Sequence, residues 1–195
     1  LILKDLMKKT ERLDQEHAGV YGMSQTLPLV RIDEKAIEAL RSPGSSDTNK
    51  IINCGRSLVQ SASEDGGKEP YLIPFGERAE QVLTLYDERH VTTQETLSQL
   101  EALLKEYVEA RQERERMGLD VRTFTVYWIL KQQGIASPEA VAAEVCGVLQ
   151  RFPNHRDNPD EMRRLKADLY KVFLKAGAKE TMVPLADRIL RLSHE

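Results

Sequence analysis

The chain has 195 residues, of which 41% are hydrophobic and 30% charged, and its formal net charge at pH 7 is -3. This length and composition fit one large domain, or a domain with an ordered arm, and exclude a disordered tail. The slight excess of acid argues against a protein whose main task is to coat nucleic acid or an anionic membrane, although 28 Lys and Arg leave room for a local basic surface.

The sequence also indicates the compartment. No run approaches the roughly 20 apolar residues of a membrane span, and no signal-peptide pattern opens the chain. Cys54 and Cys146 lie in apolar, helix-like segments and predict two buried, reduced thiols rather than a disulfide. These features together predict a cytoplasmic protein. Residues 1–7 already have a helical pattern, so we expect this chain to be a segment of a longer protein.

The first third of the chain predicts a helical arm. Residues 1–17 have apolar positions at helical spacing, and residues 27–32 form at most a short edge strand because Pro28 lies within it. Asp33 is placed to cap a short helix over residues 34–40, and a longer helix follows over residues 47–64. Residues 63–70 are rich in Gly and charge, so we predict one unit over residues 1–68 and a helical bundle over 69–195.

Beyond this linker the pattern predicts six helices. Pro74 suits a first helical turn, and Thr92 with Glu95 predicts a capping box. Asp120 and Asn158 are placed to cap two further helices, with another opening at residues 137–139 between them and a last one near the C-terminus. Six helices of unequal length with short connections predict a mainly α, irregular multi-helix bundle or array.

Motifs for catalysis are incomplete. Gly66-Gly67-Lys68 lacks the earlier glycine, the preceding strand and the following helix of a phosphate loop, so a linker is the better interpretation. Asp33-Glu34-Lys35 matches part of a metal-dependent nuclease motif, but the second acid of that motif is missing from the residues before it. This favours the capping role for Asp33. His155, beside several acids, is better explained as part of a solvated loop than as a metal ligand. We therefore predict no catalytic, cofactor or metal site in this chain.

Two groups of side chains offer binding hypotheses. Phe124, Tyr127 and Trp128 could stack on bases, but their helical spacing on an apolar segment favours a core role. The run of residues 111–116 alternates in sign, which is typical of a solvated helix end, while contact with phosphates is the sharper alternative. The candidate DNA-contacting residues are all arginines: Arg111, Arg114, Arg116, Arg163 and Arg164.

An ordered series of segments carries a family resemblance. The series comprises residues 70–80 (PYLIPFGERAE), 92–97 (TTQETL), 118–131 (GLDVRTFTVYWILK) with Gly134-Ile135, 152–154 (FPN) and 165–171 (LKADLYK). In this order and spacing they resemble the C-terminal helical region of the R subunit of type I restriction–modification enzymes, an ATP-driven DNA translocase and endonuclease. Residues 27–40 and 47–59 look like the stretch that leaves the second helicase-like domain of such subunits.

The resemblance implies a role without catalysis for this segment. The nuclease domain and both motor domains of the parent enzyme, with their ATP and Mg²⁺ sites, would precede residue 1. The helical region would dock the motor onto the methyltransferase core, which consists of modification and specificity subunits, and would meet DNA through that complex. The alternative is a DNA-contacting extension of the motor. No catalytic residue of the family has a matching position here.

Overall fold

The computed structural model describes residue 32, residues 34–41 and residues 45–192. Within these ranges the backbone forms α-helices and no β-strand, which confirms the predicted mainly α array. In chain order the helices are α1 (Glu34–Arg41), α2 (Asp47–Asp65), α3 (Ile73–Asp87), α4 (Thr93–Met117), α5 (Val121–Gln132), α6 (Pro138–Gln150), α7 (Pro159–Lys175) and α8 (Met182–Leu192), with a short 3-10 turn over Pro70–Leu72 before α3. The helix predicted over residues 1–17, the Asp33 cap and all but the last residue of the predicted edge strand lie outside the described residues.

Local capping chemistry sets several helix boundaries. The backbone N–H of Thr92 donates to Glu95 Oε2 at 2.8 Å, and Thr92 Oγ1 accepts from the Glu95 N–H at 3.2 Å, so the predicted capping box of α4 is confirmed. Asp120 accepts a hydrogen bond at 3.1 Å from the backbone N–H of the third residue after it. Asn158 accepts one at 3.0 Å from the backbone N–H of the second residue after it. Gly118 ends α4 with a φ of 61°, a left-handed conformation that glycine adopts without steric penalty.

Helices α1 to α4 form the N-terminal part of the core. Helix α2 packs on both α3 and α4, so residues on the two sides of the linker predicted at residues 63–70 belong to the same core. The contact between α2 and α3 is close at one point, because a Cβ atom added to Gly76 would lie 2.7 Å from the Cβ of Ala62. A side chain at residue 76 would therefore force the two helix backbones apart.

Helix α5 lies at the centre of the molecule. Seven consecutive residues, 124–130, are buried, because the 3-10 turn, α6 and α8 cover α5 from different sides. Phe124 packs edge-to-face on Tyr71 with ring centroids 4.9 Å apart, and Trp128 lies 6.5 Å from the Phe75 ring. The prediction that Phe124, Tyr127 and Trp128 belong to the core is confirmed.

The C-terminal helices complete the array in sequence order. Helix α6 packs on α5 and on α7, and α8 packs on α7 and returns to α5. Cys54 in α2 and Cys146 in α6 are both buried and unpaired with one another, as predicted. Burial raises the pKa of the Cys54 thiol to about 12, so this sulfur stays protonated and behaves as a small apolar group.

Candidate interaction surface

Two of the candidate DNA-contacting arginines are engaged within the chain. Arg111 Nη2 donates to a carboxylate oxygen of Asp65, at the end of α2, and to Glu69 Oε2 at 3.1 Å. Arg114 Nε lies 3.8 Å from Glu69 Oε1. These pairs tie the C-terminal half of α4 to the turn that follows α2. A guanidinium held by two carboxylates is a poor phosphate ligand, because the phosphate would have to displace them.

The other three candidates are more exposed and lie apart. Arg116, on α4, is 77% exposed and lies 3.7 Å from Glu113 Oε1. Arg163 and Arg164 lie in the first half of α7, and Arg163 is 80% exposed with its guanidinium 3.3 Å from Asp160 Oδ1. Exposed pairs of this kind within one helix are weak, so these cations are available to a partner. The structure thus divides the five arginines between two helices, and it leaves Arg116 on α4 and the pair on α7 accessible.

A buried ionic network joins α4 to α5, and the sequence did not reveal it. The Glu113 side chain is only 8% exposed. Its carboxylate accepts a hydrogen bond from the Tyr127 hydroxyl at 2.6 Å and another from Lys131 Nζ. Lys131 also lies 3.1 Å from Glu109 Oε1 and 4.8 Å from the centroid of the Trp128 ring. Helical spacing contains a signal for this network, because Glu113 continues the apolar face of α4.

The protonation states of this network follow from its contacts. Burial favours a higher pKa for Glu113, but hydrogen bonds from Lys131 and Tyr127 outweigh that and hold its pKa below the ordinary value. Burial, together with the bond to Glu113, raises the pKa of Tyr127 to about 12. At neutral pH the network therefore holds a carboxylate, a phenol and an ammonium. Both carboxylate oxygens of Glu113 accept hydrogen bonds from within the chain, so the network serves to hold α4 and α5 together.

Helices α7 and α8 expose apolar side chains. Only three large hydrophobic residues in the described ranges are exposed, and two of them, Leu174 at 48% and Val183 at 46%, belong to α7 and α8. The two helices pack on one another, and Lys166 Nζ lies 2.7 Å from Asp187 Oδ1 across them. Leu174 lies eight residues after Lys166 on α7, and Val183 lies four residues before Asp187 on α8. We call Leu174, Val183 and half-buried Tyr170, four residues after Lys166, the α7–α8 face.

Within the described residues, the motif discounted as a phosphate loop lies in a turn. Gly66-Gly67-Lys68 follows helix α2 rather than a strand, as the linker interpretation requires. Among residues 34–41 and 45–192, no three His, Cys, Asp or Glu side chains come together as a metal-binding group. Within the same part of the chain, none of the helices has the length and apolar character that crossing a bilayer would require.

Comparison with models of known protein families, with curated proteins and with solved structures finds no match to this chain.

Proposed function

We propose that this chain is the non-catalytic helical docking domain of a type I restriction enzyme R subunit, and that it attaches the cytoplasmic motor to the methyltransferase core of modification and specificity subunits. The ordered segment resemblance suggests the partner. The structural observation that supports docking is the α7–α8 face, where Leu174 and Val183 are each close to half exposed. Exposed apolar side chains on two neighbouring helices are a feature that protein interaction surfaces use.

The charge arrangement favours docking over DNA contact. Arg111 is held by Asp65 and Glu69, so the arginine-rich end of α4 serves the fold rather than presenting a row of free cations. A DNA-contacting extension remains the second candidate, because Arg163 and Arg164 stay exposed on α7. In that case the affinity for duplex DNA depends on neutralised phosphates and falls steeply as salt rises.

In this proposal, catalysis takes place in other domains of the parent subunit. The site-specific endonuclease activity, ATP binding and Mg²⁺ binding of the parent enzyme are assigned to other domains of the same subunit. The present chain then needs no cofactor of its own. A thermal-shift screen with ATP, Mg²⁺ and Zn²⁺ tests this assignment, because a ligand that binds the folded state raises its melting temperature. A clear rise with any of the three would point to a site assembled from distant residues.

A binding titration tests the docking role directly. The chain is titrated with the cognate methyltransferase core and, in parallel, with non-specific duplex DNA at low and at high salt. We expect core binding that persists at high salt, because burial of apolar surface is not screened by ions. DNA binding that vanishes with salt, together with no core binding by folded chain, would instead support the motor-extension candidate.

Variants of the α7–α8 face sharpen the test. Val183→Glu and Leu174→Glu place a charge in the proposed interface and should weaken core binding about tenfold or more, since burying an unpaired charge is unfavourable. Leu85→Glu is the matched control, because Leu85 is the remaining exposed large hydrophobic residue in the described ranges, 38% exposed on α3. Equal affinity for all three variants would show that the α7–α8 face is not the docking surface.

A further inference from the structure

Arg188 lies where α3, α5 and α8 meet, and it differs from the arginines around it. Its side chain is half-buried, and within the described residues its guanidinium donates one hydrogen bond, from Nη2 to Gln132 Oε1 at 3.2 Å. Gln132 is the last residue of α5 and contributes a neutral oxygen. Arginine carries five N–H donors. Among the described residues, the other N–H groups of Arg188 have no acceptor.

The two neighbouring arginines are each neutralised by a carboxylate. Arg191 donates from Nη1 and Nη2 to the two oxygens of Glu77, at 2.9 and 3.0 Å. Arg78 likewise makes a two-pronged pair with Glu106, in which Nη2 lies 3.2 Å from Oε1. No described carboxylate lies within salt-bridge distance of Arg188. The cluster thus repeats an arginine–carboxylate pattern twice and leaves its third arginine without an acid.

The surroundings make this cation unfavourable in the free chain. Partial burial lowers the pKa of Arg188, and the positive charges of Arg191 and Arg78 lower it further, while Glu77 opposes them. The C-terminal end of α5, where Gln132 lies, offers partial negative charge that stabilises a nearby cation. That dipole supplies no second acceptor for the unused donors. A carboxylate placed against Arg188 would satisfy them in a two-pronged geometry and neutralise the excess charge.

We propose that Arg188 is a receptor for an aspartate or glutamate side chain of the partner protein, at a contact formed by α3, α5 and α8. A carboxylate fits better than a nucleic acid, because Glu77, the partner of Arg191 one helical turn away, would repel a run of consecutive phosphates. A single acid needs only one position and completes the pattern. The inference rests on the proposed docking function and adds to it a second contact, charged where the α7–α8 face is apolar.

Core binding by charge variants provides the first test. Arg188→Gln keeps a polar side chain but removes the charge and should weaken binding to the methyltransferase core about tenfold, which corresponds to about 1.4 kcal/mol. Arg188→Lys should bind with intermediate affinity, because lysine keeps the charge but cannot pair in two-pronged fashion. Arg122→Gln, at the exposed N-terminal turn of α5, is the matched control and should bind like the unmodified chain. Unchanged affinity of Arg188→Gln would overturn the proposal.

A partner-free test separates this inference from the docking function. The full chain is titrated with hexaglutamate and, separately, with a short DNA duplex, while the arginine Nε–Hε signals are followed by NMR. The signal of Arg188 is assigned by its loss in Arg188→Gln. Saturable shifts at Arg188 and not at Arg122 with hexaglutamate support the acid receptor. Shifts at Arg188 with DNA alone, or with neither ligand, overturn it. If the unmodified chain fails to bind the core, the docking function falls, and the hexaglutamate result still decides the Arg188 site.

Discussion

Tyr127→Phe removes a single hydroxyl from the network between α4 and α5 and leaves the ring packing intact. The lost hydrogen bond joins Tyr127 Oη to Glu113 Oε1 at 2.6 Å, and the Tyr127 residue is only 6% exposed. A hydrogen bond to a charged acceptor contributes about 1.5–3 kcal/mol. Glu113 keeps its bond from Lys131, so the full penalty of an unpaired buried charge does not arise. We expect a loss of about 2 kcal/mol in the free energy of unfolding.

Urea denaturation followed by far-UV circular dichroism measures this loss, and the melting temperature should fall by about 4–8 °C for a chain of this size. Tyr86→Phe is the matched control, because the Tyr86 hydroxyl lies 3.3 Å from the exposed hydroxyl of Thr48 and should contribute under about 0.5 kcal/mol. Trp128, the only tryptophan, lies beside the network and reports its local state by fluorescence. Equal losses for the two tyrosine variants would refute the proposed importance of the buried carboxylate.

A double-mutant cycle isolates the charge of the acceptor. In Glu113→Gln the amide oxygen still accepts a hydrogen bond from the phenol, but as a neutral group, so Tyr127→Phe in that background should cost only about 1 kcal/mol. A cycle with no coupling would show that the two side chains act independently.

The dependence of the stability on pH has a defined sign. Because contacts lower the pKa of folded Glu113, its stabilising effect is complete above the ordinary value of 4.5 and is lost as pH falls through the lowered pKa.

Three further tests address packing, helix capping and an exposed ion pair. Gly76→Ala should destabilise the fold by about 1–3 kcal/mol because it forces α2 and α3 apart, whereas Gly147→Ala, with open space at its Cβ position, should stabilise it by about 0.5–1 kcal/mol in the same denaturation assay. Thr92→Ala should cost about 1 kcal/mol through loss of the α4 capping box. Hydrogen bonds, chiefly from Arg41 at the end of α1, lower the pKa of Glu101 to about 2. Amide-exchange protection of α1 should therefore fall as the pH is lowered from 4.5 to 2, and Glu101→Gln should abolish that pH dependence.

The sequence predicted those parts of the fold that short-range chemistry determines. The Thr92–Glu95 box and the Asp120 and Asn158 caps each involve groups within three residues of one another, so a local pattern is sufficient. The apolar run around Trp128 predicted a core helix for the same reason. In such segments the local preference and the tertiary environment agree.

The sequence interpretation was wrong in part where charged side chains meet across the fold. The alternating run of residues 111–116 predicted a solvated helix end, yet Arg111 pairs with Asp65, 46 residues earlier, and Glu113 is buried. Charge alternation does not distinguish a pair within one helix from a pair between helices. The three-residue spacing from buried Ala110 to Glu113 was the available signal, and it was outweighed by the charge of the residue.

The position of α5 also sets an order of events during synthesis. Its residues 124–130 are all buried, and part of the surface of α5 is covered by α8, which begins about fifty residues after α5 ends. A nascent chain that has completed α5 and α6 therefore exposes apolar surface of α5 until α8 has been synthesised. Molecules shortened before α8 should recruit chaperones or precipitate, even though the lost segment is small.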